Sequence, residues 1–564
     1  MASTGDLITR TYGGFRGVDF RGEDINLVRS PDCLNVWKDY KSIDSICTRP
    51  KMELLQAFEN PIYALCHLKK DGKDIIIVHS GNALYKIADG ETTLLNSFME
   101  EGVCRYFYFN GKFYFFDKYY FWECDGEEMK LADTYVPKTS IGRKPGGGGT
   151  IYQDINIMSN FRINTFVGDG ESKEFHLDAA DPIGVYGDSV VAEVDGEVWE
   201  ASVIITDKSA IVRFYEAPPK PQTDGQDNVS IKYESIFGDQ GRIMNCTIFQ
   251  VFDNRVFASG NPQYPNVVWH SGLNDATYWS DLDYYNEGSD GSAVKGLVAG
   301  NNALWVFKEP SPDNASVFYH VPTIDSEYGK IYPSAHSSIA TGCIGKATNF
   351  NDDIVFFGYQ GMEGVSGDIT TEQFVSHRSS LINSKLLNEK HYQNMILAEW
   401  EGYLMVIIEN RAYLADSRAK FTNNDHYEYE WFYWEFDKKI TCADVINGIL
   451  HLGTEDGVYT LTNYKGNVES YWVTPKDKFN APNKQKTTNK RGCVVEATGD
   501  ISVYAKLEDT EFEHIGTYNE IKDYFVSRIK RKKFKDIQLK FYSPTWFSLE
   551  TATLECFVGG YIKR

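Results

Sequence analysis

The sequence predicts an all-β protein: a β-propeller of six to eight blades that carries an inserted β-sandwich module and a C-terminal β module. Three observations lead there. Aromatic residues make up 14% of the 564 residues, with 36 Tyr, 34 Phe and 11 Trp, and flat rings pack well on a pleated surface. Strand–turn–strand segments recur at intervals of roughly 30–50 residues, the size of a four-stranded blade. Helical patterns are scarce, residues 380–392 being the best candidate.

Seven segments carry the repeat: residues 75–87, 106–116, 249–258, 297–307, 347–357, 397–407 and 443–452. In each, two apolar runs flank a short turn such as Asn110-Gly, Asp253-Asn, Gly300-Asn-Asn, Glu401-Gly or Asn447-Gly. These residues tolerate positive φ, which the tight turns between right-twisted strands require. A single blade cannot bury both of its faces, so blades are expected to close into a ring.

The repeat has a gap, and the chain divides around it. Residues 1–136 are expected to form an N-terminal arm and the first blades. Residues 137–240 are expected to be a linker and the inserted sandwich, residues 241–475 the remaining blades, and residues 476–564 the C-terminal module. The linker is placed at residues 137–149, Pro-Lys-Thr-Ser-Ile-Gly-Arg-Lys-Pro-Gly-Gly-Gly-Gly, where the glycine run favours flexible chain. Alternating strands follow near residues 164–177, 190–199, 209–214 and 229–233. In the C-terminal module strands are expected at 492–497, 501–506, 537–541 and 552–558.

Net charge is −22, unevenly spread. Residues 476–564 hold 17 Lys and Arg against 12 Asp and Glu, a net of +5, which leaves −27 on the remainder. So acidic a surface argues against wrapping nucleic acid, where binding rests on neutralising phosphates. It suits a wall that DNA passes without sticking. No apolar run approaches the roughly 18 residues of a membrane helix. The start lacks the charged and apolar regions of a signal peptide. The ten cysteines are scattered without a C-x-x-C pair, which predicts buried free thiols rather than a disulfide framework or zinc site.

No catalytic constellation is legible. The run Gly146 to Gly149 lacks the rest of a phosphate-binding loop. The phrase Ser271-Gly-Leu-Asn-Asp-Ala-Thr-Tyr-Trp279 has a superficial likeness to the S-x-D-x-G-x-x-W loop of sialidases. Aligned on Trp279, however, Asn274 and Ala276 stand where Asp and Gly are required. G-x-S-x-G, H-E-x-x-H and clustered histidines are absent, and His79, His270 and His320 stand isolated as structural residues. No catalytic, cofactor-binding or metal-binding residue is therefore expected. The one dense basic run is Lys530, Arg531, Lys532, Lys533 and Lys535. Against so acidic a remainder it is a candidate subunit contact, in preference to a nucleic-acid contact; the alternative is a solvated strand or turn.

The chain resembles the tail hub or nozzle proteins of tailed bacteriophages, often labelled packaged-DNA stabilisation proteins. The resembling stretches are Gly13-Gly-Phe-Arg-Gly-Val-Asp-Phe20, Cys33-Leu-Asn-Val-Trp37, Thr48-Arg-Pro-Lys-Met52, Trp269-His-Ser-Gly-Leu-Asn-Asp-Ala-Thr-Tyr-Trp279, Leu304-Trp-Val-Phe-Lys308, Thr341-Gly-Cys-Ile-Gly345 and Glu428-Tyr-Glu-Trp-Phe-Tyr-Trp434. They are spread over most of the chain, and each is a loose pattern. The resemblance implies a propeller with extra β domains, assembled as a hexameric ring in the virion tail after synthesis in the host cytoplasm. Its implied partners are further copies of itself, an adaptor or head–tail connector protein, and distal fibre, needle or tip proteins. Contact with genomic DNA in the channel would be transient and non-specific. The competing expectation is a propeller-type tail protein that binds or degrades host glycan.

Overall fold

Four-stranded antiparallel sheets dominate the computed structural model, which describes residues 5–22, 25–38, 45–102, 104–179, 182–235, 239–311, 315–326, 329–337, 339, 341–366, 374–423, 426–519, 525–529 and 533–561. The chain divides into two compact units, one of residues 1–103 with 341–564, the other of residues 104–340. Among the described residues seven sheets have four antiparallel strands each, one for each repeat segment read from the sequence.

In the 104–340 unit three such sheets begin with the strands Arg105–Phe109, Ile248–Phe252 and Val294–Gly300. The first strands of neighbouring sheets pack on one another in that order. The second strand of each is buried on both faces, so it reads as an unbroken apolar run rather than an alternation. Ala303–Lys308 is buried at every position. The turns are as expected, with Asn110 at φ 48°, Asp253 and Asn254 at 50° and 57°, and Asn301 and Asn302 at 52° and 58°.

The same unit contains the insert. A six-stranded sheet runs in the order Thr150–Ile151, Lys138–Arg143, Phe161–Phe166, Val229–Ser235, Val185–Val194, Glu197–Trp199. It accompanies a three-stranded sheet of Glu174–His176, Ala210–Phe214 and Ala201–Ile205. Phe166, Phe175 and Phe214 meet edge-to-face between them, at 5.3 and 5.2 Å. One expectation is corrected here: Lys138–Arg143, placed in the linker, is a strand paired in parallel with Phe161–Phe166. The Arg143 guanidinium lies over the Phe166 ring and donates to Ser140 Oγ and to the His176 carbonyl. Alternation within Thr-Ser-Ile-Gly-Arg was masked by the glycine run that follows it.

The other unit holds four four-stranded sheets, beginning at Ile62–Lys70, Ala347–Phe350, Ile396–Trp400 and Cys442–Ile446. The last of these recruits its fourth strand, Lys51–Ala57, from the N-terminal part of the chain. Its first strand packs between those of the neighbouring sheets. Residues 380–392 hold only single turns, Asn383–Leu386 and the start of Tyr392–Asn394.

The C-terminal module is larger than its expected boundaries. Its five-stranded sheet starts with Cys33–Leu34 and Ser470–Val473. Its seven-stranded sheet includes Val36–Lys38, Ile46–Thr48 and Asp6–Gly13, the last paired with Phe547–Tyr561 over eight residues. The N-terminal arm is thus built into the C-terminal module. Phe15, Trp472 and Phe541 pack in its core, and Trp472 is fully buried. No described helix is long and apolar enough to cross a membrane. None of the ten cysteines is in a disulfide, and eight are buried.

Truncation before Gly14 removes that eight-residue strand pairing and the cover over Cys556 and Leu554. The expected outcome is loss of amide protection along Phe547–Tyr561, read by hydrogen exchange, while the sheet starting at Ile248–Phe252 keeps its protection.

Candidate functional site

Two residues of the basic run, Lys533 and Lys535, lie at an edge of the C-terminal sheets. Lys530, Arg531 and Lys532 lie outside the described residues. Lys533 and Lys535 are exposed, one in the short strand Lys533–Phe534 and the other just after it. That strand pairs with Lys484–Gly499, Thr487 facing Lys533. Lys486 fixes the base: it is fully buried, and its ammonium donates to the carbonyls of Ala481 at 2.6 Å and Lys535 at 2.7 Å. The Lys535 amide donates to Glu508 Oε1 at 2.9 Å. Lys476 pairs with Asp509 at 3.0 Å. That hydrogen bond, with the charges of Lys476, Lys506 and Lys535, holds the Asp509 carboxyl below its usual range. Lys478 is exposed nearby. The outcome is a cationic rim on a hydrogen-bonded base, with Asp509 and Glu508 its anionic members.

The sialidase-like phrase has a different task. Gly272 and Asp275 bridge a tight turn, Asn274 adopts φ 56°, and Asp275 Oδ1 caps the amide and hydroxyl of Thr277. Trp279 is buried, its indole donating to the Ala276 carbonyl at 2.9 Å. The loop grips the segment between Thr150–Ile151 and Phe161–Phe166 through Asn156. Asn156 Nδ2 donates to the carbonyls of Tyr135 and Thr277, both at 2.8 Å, and its Oδ1 accepts from the amides of Met158 and Trp279. Tyr278 and Ser280 reach Asp154. This is a structural clasp.

The most enzyme-like cluster is one that sequence reasoning missed, because its members are far apart in the chain. Glu287, Lys308 and His320 are fully buried. His320 Nε2 lies 2.7 Å from Glu287 Oε1, and its Nδ1 lies 2.8 Å from the Tyr332 carbonyl. The imidazole is thus held between two fixed groups, one at each ring nitrogen. Ser334 donates to the other Glu287 oxygen at 2.6 Å. Lys308 donates to the Glu287 carbonyl and to Asp290 Oδ1, each at 2.6 Å, and that bond drives the Asp290 carboxyl far down. Next to it, burial lowers His270 to about 4 and raises Asp283 to about 6. Every buried group named in the Glu287–His320–Lys308 set has an internal partner, which is the design of a polar core.

A second buried pair, Arg378 with Asp353 at 2.8 Å, takes Tyr429 into the same network. Arg378 approaches Gly364 so closely that a β-carbon there would lie 2.6 Å from the guanidinium. His79 is buried and held near 4 by desolvation. Among the described residues no group of three His, Cys, Asp or Glu could hold a metal ion.

No protein-family model and no curated protein matches the chain. Among solved structures, BamB from Moraxella catarrhalis is 8% identical, with a TM-score of 0.31 over 73% of this chain and 97% of its own. Hsv2 from Kluyveromyces lactis is 9% identical, with a TM-score of 0.26 over 66% and 98%. An exo-β-1,3-galactanase from Phanerochaete chrysosporium is 9% identical, with a TM-score of 0.21 over 54% and 94%. These values are too low to carry any functional conclusion.

Removing the buried member of this ion pair should be costly. Lys308→Ala is expected to destabilise its unit by about 1–3 kcal/mol, because the Glu287 carbonyl and the partly exposed Asp290 lose their donor. Faster amide exchange in Val294–Gly300 and Val317–His320 would report it. Glu363, 1% exposed, has a carboxyl that burial pushes up to about 7. The folded chain therefore holds this proton where the unfolded chain has lost it, so stability falls as pH rises between 4.5 and about 7. Glu363→Gln should flatten that part of the stability–pH curve, measured by thermal unfolding across the window.

Proposed function

We propose that this chain is a structural subunit of a bacteriophage tail, a ring-forming hub or nozzle that extends the DNA channel, helps retain packaged DNA and anchors distal tail parts. On this reading the four-stranded sheets are propeller blades, and six copies close around the tail axis beneath an adaptor. The insert and the C-terminal module then serve contacts with neighbours. The protein is not an enzyme on this reading.

The observation that carries the proposal is where the chemistry-bearing side chains are used. Glu287, His320 and Lys308 bond to one another and to main-chain carbonyls inside the protein, and the sialidase-like loop clasps Asn156. Exposed charge instead gathers in Lys533, Lys535, Lys476 and Lys478 on a net-basic module of an otherwise acidic chain. Such an arrangement favours assembly over turnover. The distribution of charge also suits a channel, since a basic lining would hold DNA back.

The deciding experiment is an electron-microscopic reconstruction of virions that contain this chain, with antibody labelling. Six-fold density on the tail axis, with a channel lined mainly by Asp and Glu, is the expected outcome. A copy off the axis, a channel lined by Lys and Arg, or glycan hydrolysis abolished by changing one carboxylate in a folded protein would overturn the reading.

A further inference from the structure

The insert carries a surface complementary to the basic rim. Residues 138–235 hold 9 Lys and Arg against 16 Asp and Glu, a net of −7. Between Lys173 and Lys208 there is no cation at all and there are nine carboxylates. Two of the strands there, Val185–Val194 and Glu197–Trp199, form one end of the six-stranded sheet, the latter outermost. Asp188, Asp195, Glu197 and Glu200 are exposed. Beside them stand exposed apolar side chains, Tyr186 at 50%, Val191 at 41% and Val198 at 71%. Ala192 and Val194, alternating with Val191 along the same strand, point into the insert's own core. The outward apolar residues are therefore surplus to that core. A carboxylate-rimmed apolar patch on an edge strand is what an interface core with a polar rim requires.

We infer that this end of the insert docks on the basic rim of the C-terminal module of a second copy of the chain, head to tail. The inference rests on the ring-forming reading above and names the surfaces that make the ring. The charge signs select the partner: the rim at Lys476, Lys478, Lys533 and Lys535 faces carboxylates, and Val526, 44% exposed on the same module, offers apolar area. A contact between two different patches is heterologous, so it propagates around an axis and closes when the rotation is right. Attraction between exposed charges is screened beyond about 8 Å at physiological salt, so it orients the partners while the apolar patch holds them.

The test uses the full-length chain as an equal mixture of ¹⁴N- and ¹⁵N-labelled protein, treated with a carbodiimide that joins amines to carboxylates without a spacer. Mass spectrometry separates links between copies from links within one. Expected are mixed-isotope links between residues 188–200 and Lys533 or Lys535, together with a rise in native mass. Both should weaken at high salt, which screens the orienting charges and leaves the apolar contact. Both should vanish in a Lys533→Glu, Lys535→Glu variant, where attraction becomes repulsion, and return when that variant is mixed with a Glu197→Lys, Glu200→Lys variant. Links confined to single copies, links elsewhere, or failure of the swapped pair to restore association would overturn the inference. So would a rim substitution that abolished retention of duplex DNA but left association unchanged. A six-fold ring on the tail axis that used other surfaces would sink this inference and leave the proposed function standing. A protein that associated through these patches but lay outside the tail would do the reverse.

Discussion

A four-stranded antiparallel sheet with apolar side chains on both faces has to be covered twice, and most of this architecture answers that demand. Strands such as Ala303–Lys308, Asp353–Gly358 and Tyr403–Ile408 are buried along their whole length. Neighbouring sheets must therefore lie on either side: the first strands Arg105–Phe109, Ile248–Phe252 and Val294–Gly300 pack in succession in one unit, and Cys442–Ile446 packs on both Ile396–Trp400 and Ile62–Lys70 in the other. The same demand explains why distant parts of the chain are sewn together. Lys51–Ala57 completes the sheet that begins at Cys442–Ile446, and Asp6–Gly13 lies along Phe547–Tyr561. Long-range pairing of this kind has a high entropy cost during folding and is slow. In exchange it leaves the early strands held by the late ones.

The repeat was legible because turn chemistry and strand chemistry agree. Asn110-Gly, Asp253-Asn and Asn447-Gly announce positive φ, and the apolar runs around them announce burial. The hairpin read at residues 75–87 is formed, as the second and third strands of its sheet. The pair before it, Ile62–Lys70 with Lys73–Ser80, turning at Asp71-Gly, was not read. That turn is flanked by Lys69, Lys70 and Lys73, so its strand ends look like a solvated loop. Long-range partners were not legible at all. Nothing local in Lys-Met-Glu-Leu-Leu-Gln-Ala says that its edge belongs beside residues some 400 positions later.

The same limit hid the buried ion network. Glu287, Lys308, His320 and Ser334 lie in different strands or loops, and each alone looks ordinary. Only the fold gives His320 two acceptors and Lys308 a carbonyl and a carboxylate. In contrast, the basic run at residues 530–535 was visible at once, because the charge is contiguous. Its setting was not: Lys486, 49 positions before Lys535, supplies the buried ammonium that ties down the Lys535 carbonyl. That ammonium is desolvated, which lowers its affinity for a proton, and two short carbonyl contacts compensate.

These buried charges and the exposed rim obey opposite economies. Inside, Lys308 and Arg378 are held by short, well-directed bonds that salt cannot screen, so they define a single packing of their strands. At the surface, Lys533 and Lys535 make no comparable commitment and respond to ionic strength and to any acidic body that approaches. Specific recognition at that rim must then come from shape and apolar contact, with charge deciding orientation. In the C-terminal module itself Lys486 fixes the strands from inside while Lys533 and Lys535 stay exposed, so its buried side is held by directed bonds and its surface stays open to ionic contact.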